Sequence, residues 1–161
     1  MRFAYIILAI AIGLMLSGCP MVDLKELNFT RTKPDLKNLV GTWTATKETF
    51  AKIHGRGRYP EADHKIVLRP DGTFSIVNMP DWRNNGIGES HGKFESTNGQ
   101  WILETDSKPG FFSTWRIALN YPNMRDSGFD VYYQSPPYLI FVRVGDPNSG
   151  EGMFFERLGT P

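Results

Sequence analysis

The sequence predicts an all-β domain of about eight strands, and three observations support this. Aromatic and β-branched residues come in short runs, and Gly, Pro, Asn and Asp separate the runs at spacings typical of sandwiches and barrels. No long stretch of helical period survives after the N-terminal apolar run. The chain has 161 residues, which suits one domain with its own core.

The first element is a leader. Met1-Arg2 gives a small positive start, and Phe3 to Leu16 is an apolar run of signal-peptide length. A bilayer-spanning helix needs about 20 such residues. The run breaks at Leu16-Ser17-Gly18-Cys19, which resembles the bacterial lipobox. The resemblance implies cleavage before Cys19, a diacylglycerol on its sulfur and an acyl chain, such as palmitate, on the new amino terminus. Cys19 is the only cysteine, so this use accounts for an otherwise unexplained thiol and leaves no internal disulfide. Pro20 stands where an inner-membrane retention signal would place aspartate. The expected location is therefore the cell envelope, on the outer membrane facing the periplasm in a host with two membranes.

One of the 18 basic residues, Arg2, precedes Cys19, which leaves the mature chain with as many bases as its 17 acids. Without net positive charge there is no electrostatic case for nucleic acid. The expected partners are the membrane, through the lipid anchor, and a small apolar ligand or an envelope protein.

Residues 1–18 are thus read as signal peptide and 19–34 as a lipidated tether, with the folded domain over 35–161. The tether mixes charges with Leu24, Leu27 and Phe29. Extended, it reaches roughly 50 Å at about 3.3 Å per residue; its apolar residues offer the alternative of docking on the domain.

The first strand run is Val40 to Phe50, although Lys47 to Ile53 is also compatible with a helix. Lys65 to Arg69 and Thr73 to Val77 form a hairpin about Pro70-Asp71-Gly72, with Pro presetting φ and Gly taking the left-handed position. Ile66, Leu68, Phe74 and Ile76 then share a face. Asn98-Gly99 predicts a second hairpin, from Lys93–Glu95 to Trp101–Glu104. Further strands are read at Thr114–Leu119, Phe129–Tyr133, Tyr138–Val144 and Gly152–Leu158.

Gly41-x-Trp43 opens the first strand after the turn Pro34-Asp35-Leu36-Lys37 and resembles the lipocalin and wider calycin signature. The resemblance implies a single antiparallel up-and-down barrel, lipocalin-like but small. In that family the tryptophan plugs one end of the barrel and an arginine late in the last strand packs across it. Trp43 and Arg157 hold the matching places and are the expected barrel-closure pair, a contact worth about 0.5–2 kcal/mol.

No Gly-x-Ser-x-Gly elbow or recognisable carboxylate pair is present, so no catalytic residue and no enzyme is expected. His54, His64 and His91 follow no metal-ligand spacing and are read as surface or strand-end residues. Asp146, Asn148 and Glu151 echo part of a calcium loop, but Asp-Pro, Asn and Gly are also what a tight connection needs. No metal and no cofactor is expected.

The Gly- and Asn-rich stretch Asn78–Glu89 carries Trp82 and Arg83, and long connections of this kind tend to be functional. Trp82, Arg83, Trp101, Trp115 and Tyr133, the last read as facing a cavity, are the candidate contacts for a ligand or partner. Phe74, Ile76, Trp101, Trp115, Ile117, Val131 and Phe141 are expected to line the interior. Two functions follow. One is binding of a small apolar or amphipathic molecule inside the barrel; the other is a surface-acting protein-binding module, an inhibitor or assembly partner, with a filled barrel.

Overall fold

A computed structural model describes residues 28–55, 59–81, 92–106, 113–121, 124–144 and 151–159. Cys19, Trp82, Arg83 and His91, the leader and most of the calcium-like loop lie outside the described residues.

Asp35 caps a single helical turn, α1 (Leu36–Leu39), by accepting a hydrogen bond from the Lys37 amide at 3.1 Å. Eight strands follow: β1 (Gly41–Ala45), β2 (Lys65–Leu68), β3 (Thr73–Pro80), β4 (Phe94–Asp106), β5 (Thr114–Tyr121), β6 (Met124–Tyr132), β7 (Leu139–Arg143) and β8 (Gly152–Arg157). Each pairs antiparallel with its neighbours in sequence, and β8 returns to pair with β1 through Trp43↔Arg157 and Ala45↔Phe155. The molecule is a closed up-and-down barrel, and closure leaves no free sheet edge.

The Pro70-Asp71-Gly72 turn forms as its residues dictate. Gly72 has φ +80°, and the Asp71 carboxylate accepts from the Thr73 amide at 2.9 Å. Gly41 is explained by its surroundings: its φ is +146°, and a Cβ there would stand 2.8 Å from Arg157 Nε. The glycine of Gly-x-Trp therefore makes room for the closing arginine.

Three expectations are corrected. The first run does not continue as strand to Phe50. Thr46 accepts from the Thr49 amide at 3.3 Å and starts an eight-residue helix, α2 (Lys47–His54). Asn98-Gly99 is not a hairpin: it lies inside the 13-residue β4, where Asn98 pairs with Ser75 and Gly99 with Phe74. Neither residue takes the positive φ that a two-residue hairpin turn demands.

Phe141 does not line the interior. It pairs with Asp130 and Phe154, so it alternates outward, while Ile140 and Val142 point in. Its ring is buried on the outer face instead, against Phe154 at 4.9 Å and Phe29 at 5.5 Å between centroids.

Phe29 belongs to a strap, the described end of the segment read as tether. Thr30 is fully buried between the splayed ends of β5 and β6. Its amide donates to the Val131 carbonyl at 2.9 Å, and its carbonyl accepts from the Trp115 amide at 2.9 Å. The Tyr133 amide adds a 2.8 Å bond to the Asn28 carbonyl, and the Gln134 side chain donates to the Phe29 carbonyl at 2.6 Å. Phe29 lies edge-on to Tyr132 at 5.6 Å, with the Arg143 guanidinium 5.4 Å from its ring.

Inside, Trp43, Ile66, Leu68, Phe74, Ile76, Ile117, Phe129, Val131, Ile140, Met153 and Phe155 belong to one contiguous buried cluster. Side chains thus occupy much of the axis, as small barrels allow.

Candidate functional site

The start of β1, the β2–β3 turn and the ends of β6 and β8 lie at one end of the barrel, which we term the floor. Trp43 is fully buried there, and its indole N–H donates to the Leu39 carbonyl at 2.9 Å, tying α1 to the first strand. Arg157 is its direct cross-strand partner on β8 and stands over Gly41.

Trp101 also faces inward near this end, and its indole donates to the Arg69 carbonyl at 3.1 Å across the Pro70 turn. Trp115 sits half-buried at the mouth of the β5–β6 gap, with the Lys33 ammonium 5.5 Å from the centre of its ring. Trp43, Arg157, Trp101 and Trp115 are therefore brought to one end of the fold. Tyr133 is not cavity-facing. It follows the last residue of β6 with φ +77°, is 45% exposed and meets the outer Tyr132 at a tilt, 4.8 Å between ring centroids.

A groove of about 1000 Å³ opens at the floor. The strap and α1 contribute Lys33, Pro34, Leu36 and Val40, and β4 contributes Trp101, Ile102 and Leu103. Lys37 and Arg157 complete a basic rim with Lys33, where the single carboxylate, Asp35, is held by Lys37 at 2.9 Å. That ion pair keeps the Asp35 carboxyl below its ordinary value and the Lys37 ammonium above its own. Apolar walls with a basic rim suit a molecule that has an apolar body and a polar or anionic end. Trp101 and Arg157 are the groove residues that the sequence marks as candidates, whereas Lys33 and Pro34 belong to the segment it marks as tether.

Comparison with known proteins returns no matching family model, curated protein or solved structure.

The opposite end carries α2 and a second cluster that sequence spacing did not signal. His54 and His64, ten residues apart, meet with their Nε2 atoms at 3.0 Å. His64 is buried, and its Nδ1 lies 2.6 Å from the Asn78 carbonyl. A carbonyl only accepts, so Nδ1 carries the proton, and the neutral ring leaves Nε2 to accept from His54. Asn78 is held at φ +54° where the β3–β4 register shifts between Ile76 and Met79, and this bulge aims its carbonyl at the ring. Phe94 flanks His64 at 5.1 Å and stacks with Tyr59, whose hydroxyl donates to the buried Asp81. Among the described residues no group of three or more His, Cys, Asp or Glu is arranged to hold a metal ion.

Burial pushes His64 below its ordinary value of 6.5, the Asn78 bond opposes that shift, and His54 adds to it. The unfolded chain therefore binds a proton that the fold resists. Stability is full above about pH 6.5 and falls as the pH drops through the folded value. Asp35, Asp63 and Asp71 are all shifted below 3.8, so their contributions are lost only at more acid pH. The urea midpoint should be lower at pH 5 than at pH 7.5, and His64→Asn should shrink that difference. An unchanged difference in the variant would remove His64 as its source.

Proposed function

We propose that this is a cell-envelope lipoprotein, anchored through Cys19, whose lipocalin-like barrel binds a small apolar or amphipathic molecule in the floor groove rather than catalysing a reaction. The observation that carries the reading is the groove itself, with Leu36, Val40, Trp101, Ile102 and Leu103 as apolar wall and Lys33, Lys37 and Arg157 at the rim. Its volume of about 1000 Å³ is at the upper end of the range that small-molecule sites occupy.

Titration of the purified protein with dodecanoate, followed by tryptophan fluorescence, tests the reading. Saturable binding is expected. Ile102→Glu should weaken it about tenfold while leaving the fold intact, because Ile102 is 61% exposed. Absence of saturable binding, or equal affinity in that variant, overturns the assignment.

The packed axis supports a second reading, a surface-acting protein-binding module such as an inhibitor or an envelope assembly partner. Trp82 and Arg83 remain its candidate contacts. Capture of the same envelope partner by the wild-type and Trp82→Ala proteins would count against that loop as the contact surface.

A further inference from the structure

Among the described residues five large apolar side chains are exposed, namely Leu36, Val77, Ile102, Tyr133 and Leu158. Chance would scatter them. Four of the five stand at the floor: Leu36 on α1, Ile102 beside it at the groove, Tyr133 after β6 and Leu158 after β8. Val77 alone lies up β3, away from that end. Leu36 and Ile102 are 51% and 61% exposed, so neither has found cover within the domain.

The charged residues that line the groove are predominantly basic. Lys33, Lys37 and Arg157 rim the groove, and Asp35 is the one acid among its lining residues. Exposed Leu and Ile beside a tyrosine and lysines match the composition of surfaces that rest in a lipid headgroup layer. The chain's course points the same way. In the anchored reading, Cys19 to Leu27 lead into the domain at the floor, where the Asn28 carbonyl accepts from the Tyr133 amide.

We infer that the floor docks directly on an anionic lipid bilayer, with Leu36 and Ile102 entering the headgroup region and Lys33 and Lys37 against lipid phosphates. This inference rests on the anchored, groove-binding reading above and adds an orientation to it: the groove opens towards the membrane, so an amphipathic ligand enters it from the bilayer. Docking adds a second contact with the membrane to the covalent anchor. Each basic group near an anionic surface is worth about a fivefold gain in partitioning.

The test is hydroxyl-radical footprinting of the full chain, read by mass spectrometry, on phosphatidylcholine vesicles with and without phosphatidylglycerol. Val77 is the internal reference. On phosphatidylglycerol vesicles, oxidation of Leu36 and Ile102 should fall at least threefold relative to Val77. The protection should weaken on pure phosphatidylcholine and in a Lys33→Glu/Lys37→Glu variant, whose two lysines are exposed. Reactivity of Leu36 and Ile102 that tracks Val77 overturns the inference, and so does equal protection on both vesicle types. Protection without vesicles, together with a dimer mass, assigns the surface to a second copy and also overturns it. The mass of the Cys19 peptide in the same samples reports acylation separately. Loss of the anchor, loss of dodecanoate binding and loss of docking are thus three distinguishable results.

Discussion

Replacing Trp43 with alanine is expected to cost about 3–5 kcal/mol, the range for truncating a fully buried aromatic. The side chain belongs to the main buried cluster, and its indole N–H holds the Leu39 carbonyl, so the variant leaves both a cavity and an unmatched acceptor. Against a total stability on the order of 5–15 kcal/mol, that loss brings the domain close to unfolding. Urea denaturation followed by far-ultraviolet circular dichroism checks it, and a change below about 1 kcal/mol would show that the floor does not depend on this residue. Trp43→Phe keeps much of the buried area while removing the hydrogen bond, so it should fall between alanine and wild type.

Phe29→Ala should cost about 3 kcal/mol, the lower end of the same range, since the strap lies on the outside and its release leaves the barrel closed. The signature is local. Phe29 is 3% exposed and covers Phe141, which without it presents a ring to water on the outer face of β7. Hydrogen exchange at the Thr30 and Trp115 amides should accelerate more than exchange at the amides of β1 and β2. Uniform acceleration along the chain would mean that the strap and barrel unfold as one unit.

Strand content was readable wherever one face is apolar and the other polar. Ile66, Leu68, Phe74 and Ile76 sit inward on paired strands because alternation and the Pro-Asp-Gly turn agree. Tyr138–Val144 is largely apolar on both faces, so alternation alone does not give its parity, and the register turns Phe141 outward beneath Phe29. Asn98-Gly99 misled for a related reason: a strong local turn signal was overridden by tertiary pairing along β3. Trp43 and Arg157 stand opposite each other on β1 and β8, and Gly41, at positive φ, leaves room for the arginine.

The candidate site was half legible. Trp101 and Arg157 stand out by residue type, whereas Lys33 and Leu36 acquire their positions only once the strap folds back. The His54–His64 contact depends on α2 returning the chain to β2, and no ligand spacing encodes that return.

Thr30 bridges β5 and β6 through one amide and one carbonyl, which makes the strap a mechanical element as well as a packing one. A pull on the residues before Asn28 loads first the Asn28–Tyr133 bond and then the Thr30 pair, so the strap peels stepwise ahead of the closed strands. Under tension the domain would lengthen by the span of the strap before any barrel strand gave way.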